Sequence, residues 1–258
     1  MDAFIRDLDR RQTESYNSSK GSLDDGYDCP KCLNRGDFMV LREGMAPAMQ
    51  DCECKEIRKR LRRIKASGLE KSIKEQTFET FRTEEPWQKA MFDKAKQYAG
   101  EGVSEGRWFY IGGQVGCGKT HICTAIAGKL INEMPVCYEV WPQTANRLKA
   151  LKMDAEGYEY EIGKLQRAEV LYLDDFFKPM TGHDGYKTMP TVADMQLAFE
   201  ILNYRYINRM PTIISSEWRL DNLGEMDEAI WSRIVERCGP YITTLERNRD
   251  RNQRQRKG

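Results

Sequence analysis

Gly113-Gln-Val-Gly-Cys-Gly-Lys-Thr120 decides the fold of this 258-residue chain, because it matches the phosphate-binding loop pattern G-x-x-x-x-G-K-[ST]. Glycines in such a loop let backbone N–H groups close around a polyphosphate. Lys119 reaches the β and γ phosphates, and the hydroxyl of Thr120 ligates Mg²⁺. A glycine turn without a nucleotide is the alternative. The residues predicted to contact nucleotide are Gly113, Gln114, Val115, Gly116, Cys117, Gly118, Lys119 and Thr120.

An acidic pair farther along the chain predicts the second half of the nucleotide site. The apolar run 168–173 is too short for a solitary helix and predicts a buried parallel strand that ends in Asp174 and Asp175. An acid at this end of a strand lies beside the phosphate loop, so Asp174 is expected to hold Mg²⁺ together with Thr120. Asp175 is then predicted to polarise the attacking water as general base. A helix N-cap or turn is the structural alternative for two aspartates.

Charge and composition exclude several classes of protein. The chain has 41 Lys and Arg against 40 Asp and Glu, so no excess charge directs it to nucleic acid or membrane. No apolar stretch reaches the length of a bilayer span, and the first residues lack the pattern of a signal peptide. The sequence therefore predicts a cytoplasmic protein with no membrane partner, whose 8 cysteines are metal ligands or reduced thiols.

Four of the cysteines form two short pairs. Cys29 and Cys32 make a C-x₂-C pair, and Cys52 and Cys54 make a C-x-C pair. Two thiolate pairs joined by a hairpin-length insert predict a tetrahedral zinc site. Because this segment has too few apolar residues for a core of its own, zinc is expected to supply its folding energy. Four unrelated buried thiols are the alternative.

Composition divides the chain into four segments. Residues 1–65 combine the cysteine pairs with a basic amphipathic helix at 55–65, and residues 66–105 are predicted to be a linker with a leading helix. Residues 106–245 alternate strand and helix patterns, which predicts an α/β domain with a parallel sheet and helices on both faces. Residues 246–258 contain no apolar residue and are predicted to be a disordered basic tail.

The periodicity of 106–245 predicts the elements of this α/β domain. Strands are expected at 107–111, 136–141, 169–173, 211–215 and 240–245. Helices are expected at 119–133, 142–152, 158–167, 192–209 and 225–237. In a sheet of this kind the phosphate loop lies at the carboxyl ends of the strands.

These motifs resemble those of the AAA+ ATPases, and among them the replicative helicase loaders of the DnaC/DnaI type. The phosphate loop and Leu171–Asp175 match the Walker motifs of that family. Pro211–Glu217 occupies the place of its sensor-1 strand. Ala229–Arg237 is similar to its Ser-Arg-Ile-x-Glu-Arg box, in which Arg233 matches the arginine finger. The cysteine pairs followed by a basic helix resemble the phage-type loaders.

The resemblance implies a fold, a set of cofactors and a set of partners. The fold is a P-loop AAA+ sheet without a C-terminal lid domain, preceded by a small N-terminal zinc-binding module. The activity is ATP hydrolysis, slow and stimulated by assembly, with ATP, Mg²⁺ and Zn²⁺ as cofactors. The expected partners are a hexameric replicative DNA helicase, gripped by the N-terminal module, single-stranded DNA, and further copies of the chain joined through ATP-bridged interfaces.

Two positions depart from the family pattern. The Walker B strand of these ATPases usually ends in Asp-Glu, whereas Asp175 is shorter by one methylene, which predicts slow hydrolysis. Sensor 1 is commonly Asn, and the nearest polar candidate here is Glu217, with Ser216 as its rival. An acid near the γ-phosphate is unfavourable unless it is paired or turned away.

Other functions remain compatible with the same motifs. An IstB-type transposition helper ATPase has the same AAA+ core, and a nucleotide-switch adaptor that does not hydrolyse ATP would tolerate Asp175. The basic helix at 55–65 either packs on the zinc module as a solvated face or contacts nucleic acid or an acidic partner. Stacking on single-stranded DNA, or else packing of a buried loop, is predicted for the residues after the Walker B strand: Phe176, Phe177, Lys178, His183, Tyr186 and Lys187.

Overall fold

The chain forms two compact units, Met1–Arg62 and Arg63–Gly258. The structure is a computed structural model that describes residues 2–42, 45–179, 188–246, 248 and 251–252. Within these described ranges, no helix combines the length and the apolar character needed to cross a bilayer.

The N-terminal unit is built around a small antiparallel hairpin. Helix α1 (Asp2–Ser18) precedes strands β1 (Asp37–Val40) and β2 (Ala48–Asp51), and helix α2 (Cys54–Ser67) begins in this unit. The side-chain amide of Asn17 bonds the backbone of Met39 twice, at 2.9 and 2.8 Å, and so fastens α1 to β1. The buried hydrophobic cluster of this unit consists of the four cysteines of the two pairs, with Tyr27 and Phe38 packed against them, and the polar side chains of Asn34 and Arg58 are also buried.

The larger unit contains a parallel sheet whose described strands follow the order β4-β5-β6-β3-β7. They are β3 (Trp108–Gly113), β4 (Val136–Val140), β5 (Val170–Phe176), β6 (Thr212–Ser216) and β7 (Ile242–Leu245). Their burial on both faces explains why the sequence shows apolar runs rather than alternation. The predicted α/β class with a parallel sheet is confirmed.

Helices cover both faces of this sheet. The elements before the sheet are α3 (Ser72–Glu75), α4 (Pro86–Gln97) and a π-helical turn at Tyr98–Gly102. Between and after its strands lie α5 (Lys119–Leu130), α6 (Trp141–Ala150), α7 (Ala155–Arg167), α8 (Val192–Ile207), α9 (Leu220–Met226) and α10 (Glu228–Cys238). Side chains alternate along β3: Phe109 and Ile111 pack towards α5, whereas Trp108 and Tyr110 belong to the core beneath α8 and α10.

Most of the predicted boundaries shift by one to three residues, and two of the differences have a clear local reason. Strand β5 runs on to Phe176, which pairs with Ser216 across an irregular register, so the two aspartates lie inside the strand and not at its end. The helix predicted at 225–237 is two helices, because the side chain of Asp227 accepts a hydrogen bond from the Ile230 N–H at 2.8 Å and starts α10 there.

A fully buried arginine joins the strands that carry the site. The guanidinium of Arg205, on α8, donates to the Ala168 carbonyl at 2.8 Å and to the Thr212 hydroxyl at 2.9 Å. It also donates to the carbonyl oxygens of Leu165 and Gln166, each at 3.0 Å. Burial lowers the pKa of Arg205 to about 10, so the cation persists at neutral pH and bonds the segments that lead into β5 and β6.

Candidate nucleotide site and metal centre

The phosphate loop joins β3 to α5 and depends on its glycines. Gly113, Gly116 and Gly118 have φ values of 106°, 80° and 91°, in the left-handed region that side chains disfavour. A Cβ added at Gly113 would collide with the carbonyl oxygen of Leu245 on the neighbouring strand. The loop conformation therefore requires glycine at these positions, and it leads directly into the N-terminus of α5.

Lys119 lies against the loop that it is predicted to serve. Its side chain is buried to 8% exposure, and its ammonium donates to the carbonyl oxygens of Gly113 at 2.9 Å and Gln114 at 2.6 Å. These backbone dipoles stabilise the buried cation without a carboxylate. A phosphate group is a stronger acceptor than a carbonyl, so the ammonium is positioned to exchange these bonds for bonds to an anion.

Asp174 is the charged centre of the site. It is buried to 5% exposure, and its Oδ1 accepts hydrogen bonds from the hydroxyls of Thr120, at 3.2 Å, and Ser215. Its Oδ2 accepts from the hydroxyl of Tyr138 at 3.2 Å. Burial and the charge of Asp174 raise the pKa of Tyr138, so this hydroxyl remains a donor. The structure thus brings Thr120 and Asp174 together, and their hydroxyl and carboxylate oxygens fit the ligand preference of Mg²⁺.

Ser215 and Tyr138 are site residues that sequence reasoning missed. Ser215 follows Ile213 and Ile214 in the strand Thr212–Ser216, and a hydroxyl at this place in a buried strand was the one available signal. Tyr138 gave no signal, because its position beside Asp174 follows from the pairing of β4 with β5, in which Val140 lies opposite Asp174. Both contacts require the strand order, which the sequence pattern does not contain.

Asp175 has an unusual backbone conformation and a different partner from Asp174. Its φ is 54°, at the irregularity in the pairing of β5 with β6, and its N–H donates to the Ser215 hydroxyl at 3.2 Å. Its carboxylate is paired with the ammonium of Lys178 at 2.7 Å. This bond raises the pKa of Lys178, and the charge of Glu217 raises it further.

Ser216 and Glu217, the two candidates for sensor 1, occupy different surroundings. Ser216 is fully buried, donates to the Phe176 carbonyl at 2.7 Å and accepts from the Trp218 N–H at 3.1 Å. Its hydroxyl therefore fastens the end of β6 to β5. Glu217 is half-buried, and its negative charge raises the pKa of Lys178, the residue that is paired with Asp175.

The aromatic residues after the Walker B strand pack inside the protein. Phe176 and Phe177 are buried, with ring centroids 4.1 Å apart, and both contact Trp141 at 4.9 and 5.6 Å. Of the two predicted alternatives, Phe176 and Phe177 therefore show packing inside the protein and not stacking on single-stranded DNA, because their faces are covered by α6 and by each other. Lys178 pairs with Asp175. The other predicted DNA contacts lie outside the described residues: His183, Tyr186 and Lys187.

Arg233, the predicted finger, lies on α10 against α8. Its Nε donates to the side-chain oxygen of Asn203 at 3.0 Å, and its Nη1 donates to the Ala229 carbonyl at 2.8 Å. The guanidinium lies over the rings of Phe199 and Tyr206, 4.7 and 5.4 Å from their centroids. These contacts hold the half-buried guanidinium of Arg233 in one position, and its Nε and Nη1 already donate hydrogen bonds within the protein.

The four paired cysteines converge on one point. Their sulfur atoms all lie within 4.8 Å of one another, with 3.8 Å between Cys29 and Cys52 and 3.5 Å between Cys32 and Cys54. A Zn–S distance of about 2.3 Å requires sulfur–sulfur edges of about 3.8 Å in a tetrahedron. The cluster therefore fits the size of a four-thiolate zinc site, and all four thiols are buried.

The surroundings of the cluster favour a negative charge on the sulfur of Cys32, whereas burial raises the pKa of Cys52 and of Cys54. Burial opposes the thiolate of Cys32, but the Gly36 N–H, 3.3 Å from its sulfur, and the neighbouring thiols lower its pKa to about 6. The guanidinium of Arg58 is only 2% exposed, forms an ion pair with Asp25, and donates to the side-chain oxygen of Asn34, which also accepts a hydrogen bond from the Cys29 N–H. Four thiolates around Zn²⁺ carry a net negative charge, which a buried arginine offsets.

Comparison with known proteins identifies the family. XkdC of the phage-like element PBSX from Bacillus subtilis (strain 168) is 34% identical over 230 residues, which are 85% of this chain and 83% of that protein. The replicative helicase loader DnaI of the same organism is 26% identical over 271 residues, covering 92% of this chain and 84% of DnaI. No family model matches the chain.

Solved structures agree with the parallel fold. The crystal structure of the DnaC helicase loader aligns with a TM-score of 0.58 and 19% identity, covering 68% of this chain and 99% of that chain. At this identity the likeness shows the fold, whereas the XkdC relationship shows the family. The chain therefore belongs to the family of XkdC, among the AAA+ proteins of the DnaC/DnaI helicase-loader type.

Proposed function

We propose that this protein is an ATP-dependent loader of a hexameric replicative DNA helicase onto single-stranded DNA. The observation that carries the proposal is the approach of the Thr120 hydroxyl to Asp174, at 3.2 Å, beside a glycine-dependent phosphate loop. This arrangement holds MgATP in the P-loop ATPases. The relationship to DnaI and DnaC, one named a replicative helicase loader and the other a helicase loader, supports the choice of partner.

The proposed chemistry is transfer of the γ-phosphoryl group to water. The phosphate loop binds the polyphosphate through its N–H groups, and Lys119 neutralises the β and γ oxygens. Thr120 and Asp174 would hold Mg²⁺, which supplies charge neutralisation at the phosphates. Asp175 orients and deprotonates the water, and Arg233 meets the γ-phosphate of a neighbouring protomer. Glu217 remains the predicted sensor 1, and its charge raises the pKa of Lys178.

The N-terminal module, residues 1–65, is proposed to bind the helicase. Helix α1 exposes three large apolar side chains, those of Phe4, Ile5 and Leu8, with Phe4 76% exposed. These side chains offer an apolar surface of the kind that partner proteins cover. Zn²⁺ at the four cysteines would fold the module that carries this helix, and residues 66–105 would link it to the ATPase domain at 106–245. The tail at 246–258 remains a separate predicted segment.

A nucleotide-switch adaptor without turnover is the second candidate, and one ion pair favours it. Lys178 forms an ion pair with the carboxylate of Asp175 at 2.7 Å, so the oxygen that would contact the attacking water contacts an ammonium instead. If this pair persists when ATP binds, the protein would alternate between free and ATP-bound states without turning over. Measurement of ATP turnover in the presence of helicase and single-stranded DNA separates this candidate from the loader.

Helicase loading tests the proposed function directly. The full chain is expected to retain a replicative helicase and, with ATP, to load it onto circular single-stranded DNA that has no free end. Phe4→Ser should weaken helicase retention because it removes an exposed apolar contact, whereas Tyr160→Ser, which changes a 71% exposed aromatic of the other unit, should not. Helicase retention by residues 66–258 and not by residues 1–65 would reverse the assignment of the partner surface.

Substitutions in the phosphate loop and in β5 test the nucleotide site. Lys119→Ala should weaken ATP binding at least tenfold and abolish hydrolysis, because hydrogen bonds to charged groups contribute about 1.5–3 kcal/mol. Asp174→Ala should remove the Mg²⁺ dependence of binding, and Asp175→Asn should bind ATP but turn it over poorly. Equilibrium titration and phosphate release measure both quantities. Unchanged activity of the Lys119 or Asp174 variant would refute the site.

Mixing of inactive variants tests the role of Arg233. Arg233→Ala and Lys119→Ala proteins should each be inactive, but a mixed assembly should recover ATPase activity where an intact pocket meets an intact finger. Such fingers contribute roughly 10³–10⁵ in rate in well-studied systems. Arg237→Ala, which removes a cation bonded to the Gly106 carbonyl at 2.9 Å, is the matched control. No recovery in co-assembled mixtures would argue against a finger acting in trans.

Metal analysis tests the cysteine cluster. The protein is expected to contain about one zinc per chain, and Cys54→Ser should lose it and unfold the N-terminal unit, because zinc supplies folding energy to such modules. Cys137→Ser, which changes a half-buried thiol on β4, should keep the metal. Elemental analysis and proteolysis of the N-terminal unit provide the measurements. A metal-free protein with this unit intact would contradict the prediction.

A further inference from the structure

Residues that follow β7 contact the phosphate loop. We call Glu246, Asn248, Arg251 and Asn252, the described residues of this segment, the C-terminal strap. At its start, Leu245 lies opposite Gly113 in the pairing of β7 with β3, and the Gln114 N–H donates to the Leu245 carbonyl at 3.3 Å.

The side chain of Gln114 fastens the strap to the loop. Its Nε2 donates to the Asn248 carbonyl at 2.6 Å, and its Oε1 accepts from the Asn248 N–H at 2.6 Å. The side-chain amide thus pairs with the backbone of Asn248 as a backbone amide would. The sequence motif predicts that Gln114 contacts the nucleotide. In the structure, its side chain contacts the strap.

Two further contacts bring the strap against the loop and the adjoining helix. The side-chain oxygen of Asn252 occupies the space beside Gly116, where any Cβ would collide with it. The guanidinium of Arg251 lies 5.6 Å from the ring centroid of Trp87, at the start of α4, and the Arg251 N–H donates to the Asn248 carbonyl at 3.1 Å. The described residues Asn248 and Asn252 therefore both lie beside the first half of the loop.

A glycine-rich loop needs such support, because glycine loses more conformational freedom on ordering than any other residue. If the loop must be ordered when nucleotide binds, its entropy cost reduces affinity, whereas a loop ordered beforehand avoids that cost. We propose that Gln114 is a positioning residue: through the strap it holds the phosphate loop in its nucleotide-binding conformation and thereby sets the affinity for ATP. This proposal rests on the nucleotide-binding function proposed above.

The test is a cycle of two substitutions in the full chain. Gln114→Ala removes both hydrogen bonds, and Asn248→Pro removes the N–H that one of them uses. Each should raise the Kd for MgATP about tenfold, since a net hydrogen bond contributes about 0.5–1.5 kcal/mol. The double variant should bind no more weakly than the weaker single variant, because both changes disrupt the same contact. Gln114→Glu, which keeps an acceptor for the Asn248 N–H, should fall between Gln114→Ala and the parent.

Controls separate this proposal from the function on which it rests. Lys129→Ala removes an exposed cation from the last turn of α5, at the end away from the loop, and should leave the Kd unchanged. The melting temperature of each nucleotide-free variant should match that of the parent. Fully additive effects, an unchanged Kd, or tighter binding by Gln114→Ala would overturn the positioning role while Lys119→Ala still loses ATP. If Lys119→Ala binds ATP as the parent does, the nucleotide site is wrong and this proposal falls with it.

Discussion

The buried carboxylate of Asp174 is the interaction on which the nucleotide site depends. A charge at 5% exposure is costly unless hydrogen bonds satisfy it, and Thr120, Ser215 and Tyr138 do so from three different elements. These elements, α5, β6 and β4, surround β5. The strand order β4-β5-β6 thus places the hydrogen-bond donors around the Asp174 carboxylate. The hydrogen bond from Thr120 aligns the end of the phosphate loop with that carboxylate.

The two units solve the problem of folding stability in different ways. The larger unit buries large aromatic and aliphatic side chains on both faces of a sheet, which is the usual hydrophobic solution. The smaller unit concentrates its buried residues in the cysteine cluster, where Arg58 and Asp25 add charge rather than apolar surface. A bound metal ion stabilises cores of this kind, so the proposed zinc would be coupled to the folding of the smaller unit.

The residues around Asp175 bear on the proposed ATP hydrolysis, which we expect to be slow. Lys119 and Asp174 are buried and directly bonded to the loop or to its first helical turn. Asp175 lies in a left-handed backbone conformation and is paired with Lys178. The proposed hydrolysis therefore requires Asp175 to exchange this ion pair for a contact with water, and we propose that assembly with a neighbouring protomer allows the exchange.

The sequence by itself determined the elements whose signal is local. The phosphate loop is a contiguous motif, the strands of the larger unit are apolar runs, and the cysteine pairs have metal-ligand spacing, so each was predictable from neighbouring residues. The tertiary structure alone decided which side chains meet across the sheet. Ser215 and Tyr138 reach Asp174 because of strand order, Phe176 and Phe177 are buried because α6 covers them, and Gln114 meets Asn248 because β7 ends beside the loop. Contacts between segments far apart in the chain follow from packing of the whole domain, which no local pattern encodes.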